Sequence, residues 1–238
     1  ADATVWSALS NAGQTCIGAE RVYVDENVAD IFIEKVVAIA SGVHSGDSSS
    51  ANYGPATMPS QVKIIKSHIE DAVANGATVA LGGVTAIDGN FIQPTILLDV
   101  PEDSLAMVNE TFGPTLIINR VADMDKAVAL ANASRYGLGA AIWSRRQGQA
   151  IASQLHCGMV AINSTISYAS IPSLPFGGTK DSGYGRIHGP EGLFEFTYTR
   201  AVVRARFKAP INVTSFKRSE KVDRFVIKVI QLLKGRLS

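Results

Sequence analysis

The chain is poor in cysteine, in long hydrophobic runs and in net charge. Its 238 residues hold two cysteines, Cys16 and Cys157, too few for a disulfide framework at this length. A reducing, cytoplasmic setting is expected, with a free thiol available for chemistry. Apolar stretches such as Val36–Ala40 and Thr95–Leu98 fall far short of the roughly 20 residues that span a bilayer, and no signal-peptide pattern opens the sequence. A soluble protein, at most membrane-associated, is the expectation. Charged residues make up 18% and the net charge is +1, which argues against a nucleic-acid-binding domain. What is present, 46% hydrophobic residues and 21 glycines, excludes disorder and collagen-like repeats and suffices for one large domain or two small ones with a real core.

The scarce charge is unevenly placed. From Phe207 onward Lys208, Lys217, Arg218, Lys221, Arg224, Lys228, Lys234 and Arg236 outweigh Glu220 and Asp223 to give +6, which leaves −5 on the preceding body. Within this basic tail Val222, Phe225, Val226, Val229, Ile230 and Leu233 recur at helical spacing, with Lys221, Arg224, Lys228 and Gln231 opposite. Such a helix packs on its own body, on a partner subunit or on a membrane surface.

Helical and strand periodicities alternate through the body. Strands are predicted at Arg21–Val24, Thr78–Leu81, Thr95–Leu98, Thr115–Val121, Gly139–Trp143, Gly158–Ile162 and Thr197–Arg204, and helices at Val28–Ser41, Ser60–Ala74, Met124–Asn132 and Arg146–His156. The fold class is therefore α/β, a mostly parallel sheet with helices on both faces, and ligands are expected beyond the carboxyl ends of its strands. Between Ile162 and Pro190 the chain turns rich in glycine and serine.

Cys16 stands in Asn11-Ala12-Gly13-Gln14-Thr15-Cys16-Ile17, a small, polar approach to a single thiol. Glycine near a thiol lets backbone N–H groups approach a developing oxyanion. On spacing alone Cys16 is either a nucleophile or a structural cysteine. Cys157, at an apparent helix end, reads as structural. His44, His68, His156 and His188 lack metal-ligand spacing, so no metal site is expected, and serine-nucleophile motifs are missing. The glycines of 176–186 read as tight turns, since no Lys-Ser/Thr pair or strand-to-helix context makes them a phosphate cradle.

The cysteine segment resembles the active-site motif of the aldehyde dehydrogenase superfamily. Further motifs follow in that family's order: Gly46-Asp47, Gly54-Pro55, Asn109-Glu110-Thr111-Phe112-Gly113-Pro114, Tyr136-Gly137-Leu138, Val160-Ala161-Ile162-Asn163, Pro175-Phe176-Gly177-Gly178, Ser182-Gly183-Tyr184-Gly185-Arg186 and Gly192-Leu193-Phe194-Glu195-Phe196-Thr197. The resemblance runs over residues 4–206 and implies NAD- or NADP-dependent oxidation of an aldehyde to an acid. It implies Cys16 as the catalytic nucleophile, through a thiohemiacetal and a thioester, Glu110 as the acceptor for the nicotinamide ribose hydroxyls, and Phe112 as the wall that positions the nicotinamide ring. Asn163 would support the loops around the site.

Three parts are implied: a catalytic domain at 1–190, an oligomerisation strand region at 191–206, through whose Thr197–Arg204 strand a homodimer or homotetramer forms, and the basic tail with its amphipathic helix at 207–238. The family's cofactor domain, its water-activating glutamate and its second oxyanion donor have no counterpart in this sequence. A fragment of a longer enzyme, inactive alone, is therefore expected. The Ser164–Leu174 segment and the tail show some resemblance to the fatty-aldehyde branch and point to an apolar or long-chain aldehyde. Succinate-semialdehyde dehydrogenase and CoA-acylating aldehyde dehydrogenase are alternatives, as is a noncatalytic assembly module.

Overall fold

Thr115–Val121 is buried along its length except at Arg120, and this run of β-branched and apolar residues forms the centre of the main sheet in a computed structural model. The structure describes residues 1–208, 211, 216–217 and 219–234; Arg218 and Arg236 of the basic tail lie outside them. In chain order the elements are α1 (Asp2–Leu9), β1 (Arg21–Asp25), α2 (Glu26–Ala40), α3 (Pro59–Ala74), β2 (Thr78–Leu81), β3 (Ile87–Asp88), β4 (Phe91–Ile92), β5 (Thr95–Leu98) and α4 (Leu105–Val108). They continue with β6 (Thr115–Val121), α5 (Met124–Ala133), β7 (Tyr136–Gly137), β8 (Gly139–Ile142), α6 (Gly148–Ala152), β9 (Met159–Ile162), β10 (Thr179–Lys180), α7 (Gly189–Phe194) and α8 (Glu220–Lys234). Two units divide the chain, Ala1–Thr197 and Tyr198–Ser238.

In the first unit the sheet order is β1-β6-β5-β2. β1, β6 and β5 run parallel, with Arg21 opposite Ile117 and Thr95 opposite Thr115, while β2 closes one edge antiparallel to β5. Because strand side chains alternate faces, Ile96, Leu116 and Ile118 point to one layer and Leu97 and Ile117 to the other. The first layer is α1 and α2, through Val5, Ala8, Leu9, Ile33 and Val36; the second is α3 and α4, through Ile65, Ile69, Ala106 and Met107. The α/β class with helices on both faces is thus observed.

Local chemistry sets the helix boundaries. The Asp25 carboxylate accepts from Asn27 N–H at 3.0 Å at the start of α2, and Asp123 accepts from Lys126 N–H at 2.7 Å at the start of α5. Pro59 opens α3, where its missing N–H costs no hydrogen bond. A second, smaller parallel pair, β8 with β9, carries the cluster of Met159, Ala161 and Tyr168, against which Ile17, Leu138 and Phe176 pack.

Three expectations are corrected. The predicted 146–156 helix shrinks to Gly148–Ala152, because Ser153 and Gln154 turn back onto the Ala150 carbonyl at 2.8 and 3.1 Å. Thr197–Arg204 forms no strand among the described residues: a strand that pairs subunits takes its ladder from a second chain. The residues singled out for chemistry also do not follow the carboxyl-end rule. Cys16 precedes β1, and Glu110 and Phe112 precede β6, so all three lie at the amino ends of parallel strands.

What joins these two pre-strand loops is a backbone approach. Gly13, at φ +68°, lies so close to Gly113 that a Cβ there would overlap the Gly113 carbonyl, and Gly113 is in turn backed by the Ile65 side chain. We expect Gly13→Ala to lower unfolding stability by about 3 kcal/mol or more, from the overlap and the left-handed backbone together. Denaturant titration of the 238-residue chain checks this; a loss under about 1 kcal/mol would show that the loops are not in this contact.

Candidate active site

Cys16 sits on a turn between a tight left-handed stretch and β1. Asn11, Ala12 and Gly13 all have positive φ, at 55°, 58° and 68°. Two of these are not glycine, so the conformation needs support from outside. Asn11 supplies part of it by donating from Nδ2 to the Gln14 carbonyl at 2.9 Å. Gln14 ties the loop outward: its Oε1 accepts from the Thr57 N–H at 2.9 Å and hydroxyl at 3.0 Å, and its Nε2 donates to the Pro55 carbonyl at 3.4 Å. Downstream, the buried Ser7 hydroxyl accepts from Ala19 N–H at 3.2 Å and from the Thr165 hydroxyl at 3.0 Å. The turn is thereby pinned through Gln14 to the 55–57 loop and through Ala19 to α1, which Thr165 links in turn to the loop after β9.

The thiol of Cys16 is exposed, and neither it nor the Cys16 backbone N–H has a hydrogen-bond partner among the described residues. A bare thiol beside a bare donor is what a nucleophile with an oxyanion site requires. Cys157 differs in every respect. It is half-buried, donates to the Met159 carbonyl at 3.2 Å, and burial pushes its thiol up from the ordinary value. Tyr168 lies within electrostatic reach of both thiols; burial first, then these neighbours, pushes its hydroxyl up to about 12, so it is a neutral wall at physiological pH.

The second loop carries Glu110 and Phe112. Glu110 is exposed, and its carboxylate makes no hydrogen bond among the described residues. Partial desolvation, then the Glu20 carboxylate, hold it above the usual carboxylate range, while the Arg21 guanidinium pulls the other way. Phe112 is partly buried on a left-handed backbone, φ 50°.

That backbone is held by a residue that motif reading passed over. Glu20 accepts from Phe112 N–H at 2.7 Å and from Thr111 N–H at 3.2 Å. Its neighbour Arg21 donates to the Asn109 carbonyl at 2.6 Å and the Ala106 carbonyl at 3.3 Å. Gln61 donates to the Thr111 carbonyl at 2.7 Å, and buried His68 shares a 3.0 Å hydrogen bond between its Nδ1 and the Thr111 hydroxyl. The available signal was position: a Glu-Arg pair that begins four residues past the thiol, where β1 starts.

Asn163 exchanges two hydrogen bonds with the Ser144 backbone, both 2.9 Å, and so ties the ends of β9 and β8 together. The 176–186 glycines form tight turns: a Cβ at Gly177 would overlap the Gly185 carbonyl, and Arg186 Nη1 donates to the Gly178, Tyr184 and Gly185 carbonyls.

An exposed cysteine on a strained turn, packed against a Glu-x-Phe-Gly loop, coincides with a match of residues 1–202 to the aldehyde dehydrogenase family model. The chain belongs to the aldehyde dehydrogenase family. It is 41% identical to the succinate-semialdehyde dehydrogenase (NADP(+)) of Deinococcus radiodurans over 84% of this chain and 44% of that protein. Among solved structures, the succinate-semialdehyde dehydrogenase of Burkholderia pseudomallei aligns with TM-score 0.77 at 37% identity, over 82% of this chain and 41% of that one. The succinic semialdehyde dehydrogenase of Streptococcus pyogenes, solved with NADP+ as its cofactor, aligns with TM-score 0.76 at 34% identity, over 82% of this chain and 44% of that one. The chain thus spans about two-fifths of the length of the relatives it matches. The resemblance to the fatty-aldehyde branch is corrected by these relatives, which carry the succinate-semialdehyde name; a serine-rich loop and a tail are too short and too generic to fix a branch.

Two outcomes are expected of the site. Glu20→Gln should raise amide hydrogen exchange at Thr111 and Phe112 about tenfold or more, since a charge-assisted acceptor is worth about 1.5–3 kcal/mol; unchanged rates would remove Glu20 from the clamp. Iodoacetamide at neutral pH should label Cys16 at least about tenfold faster than Cys157, as exposure and thiolate access dictate. Peptide mass spectrometry reads the two rates, and equal labelling would contradict the asymmetry.

Proposed function

We propose that this chain is the cysteine-bearing part of an NAD(P)-dependent dehydrogenase of small, carboxylate-ended aldehydes, with succinate semialdehyde as the substrate class and NADP as the preferred cofactor. The observation that carries the reaction type is Cys16, an exposed thiol beside its own unengaged N–H. The names of relatives at about 40% identity support the substrate class.

The residues present fit a nicotinamide riboside. Two vicinal hydroxyls need two acceptor oxygens, and the Glu110 carboxylate offers them unoccupied; a planar ring needs an apolar wall on a fixed backbone, and Phe112 is held by Glu20. Such a bound ring supplies the hydride acceptor that turns the thiohemiacetal into a thioester.

The chain's own chemistry is addition. The Cys16 sulfur, as thiolate, forms a C–S bond to the aldehyde carbon, and the carbonyl oxygen takes up the displaced electron pair. The Cys16 N–H, unengaged among the described residues, would donate to that oxyanion. Release of the acid then needs a water and a general base. The 164–174 segment contains no Lys or Arg; Ser164 and Ser170 already donate their hydroxyls to backbone carbonyls, so it is a hydroxyl such as that of Ser167 that can donate to a substrate carboxylate, with a cation from elsewhere.

Aldehyde protection tests the reading. Succinate semialdehyde should slow iodoacetamide labelling of Cys16 at concentrations about tenfold lower than a long-chain alkanal needs, the advantage of about 1.4 kcal/mol that one good polar contact gives. Better protection by the alkanal would overturn the substrate class. No protection by either would favour a noncatalytic assembly module.

A further inference from the structure

Helix α8 differs from the other α-helices among the described residues: none of its residues is buried. At about 100° per residue, Val222, Phe225, Val226, Val229, Ile230, Leu232 and Leu233 share an arc of about 160°. Phe225, Leu232 and Leu233 are each more than half exposed. Lys221 and Lys228 border this arc on one side and Lys234 on the other. The two acids, Glu220 and Asp223, stand in the first turn, where the helix dipole favours them, and Glu220 pairs with Arg224 at 3.7 Å. The later turns therefore carry only cationic charge. The approach to the helix repeats the same chemistry, with the exposed aromatics Phe207 and Phe216 each followed directly by a lysine, Lys208 and Lys217.

We propose that α8 and its Phe-Lys approach form a binding surface for an anionic lipid membrane, on which the helix lies in the interface plane. A wide apolar arc, low overall hydrophobicity, basic borders and phenylalanine anchors are the combination that settles at the boundary of headgroup and acyl chain. No described helix is long and apolar enough to cross a bilayer, so the association is peripheral. The excess of +6 from Phe207 onward matches a lipid surface that carries phosphatidylserine or phosphoinositide charge. A protein groove that covered this arc would have to meet the uninterrupted cations of its later turns with acids. An anionic bilayer meets both the apolar arc and the cations without any specific register.

The test is flotation of the 238-residue chain with phosphatidylcholine vesicles, with and without about one-third phosphatidylserine. The chain should bind the anionic vesicles at least about tenfold more tightly than the neutral ones, and raising salt should weaken that binding. Val229→Glu, which places a charge at the centre of the arc, should reduce binding about tenfold or more, as should the Lys221→Glu, Lys228→Glu pair. Labelling of Cys16 stays unchanged in both variants if the first unit is folded. Equal binding to neutral and anionic vesicles would overturn the proposal, and so would full binding by Val229→Glu. Absence of flotation, accompanied by a self-association that Val229→Glu abolishes, would assign the arc to a second copy of the chain instead.

Discussion

The backbone approach of Gly13 to Gly113 is the constraint on which the site depends. Two loops far apart in sequence, one carrying a thiol and the other a carboxylate and an aromatic ring, meet where neither chain has a side chain in the way. The parallel register of β1 with β6 brings the loops to the same end of the sheet, and Ile65 from α3 closes the far side of Gly113. The distance between thiol and Glu110 loop is therefore set by main chain and core, which move least. A mobile loop would lose much of the rate that orientation provides.

Charge is used sparingly around that contact. Glu20 and Arg21 both spend their hydrogen bonds on the backbone of 106–112, so a carboxylate and a guanidinium near the thiol serve geometry. Glu110 is left as the unengaged acceptor, and its neighbours push its acidity in opposite directions. The two cysteines show how placement decides chemistry: one thiol is exposed without a partner, the other half-buried and bonded to a carbonyl.

Much of this was legible in the sequence, for identifiable reasons. β2, β5 and β6 begin and end where β-branched runs and turn residues place them, and α2, α3 and α5 carry a 3.6-residue period bounded by Asp25, Pro59 and Asp123. Cys16, Glu110 and Phe112 stood out through ordered motifs. Glu20 did not, because a carboxylate that binds backbone amides has no spacing signature; its partners lie more than 90 residues away. That Cys16, Glu110 and Phe112 share the amino ends of β1 and β6 was not legible, because periodicity does not encode which loops approach each other. Helix α6 was read too long because Ser153 and Gln154 satisfy carbonyls from outside a helix as well as inside one. The Thr197–Arg204 segment has strand composition without a partner strand among the described residues, and a ladder needs both.

The most direct test of the account is a nuclear Overhauser measurement on the folded chain, aimed at the α-protons of Gly13 and Gly113. The account predicts cross-peaks from the Gly13 α-protons to protons of Gly113 or Pro114, together with contacts from Gly113 to the Ile65 methyl groups. If Gly113 contacts Ile65 but the Gly13 α-protons show no cross-peak to Gly113 or Pro114, the thiol loop is not seated against the Glu110 loop, and the proposed arrangement of Cys16 and Glu110 fails.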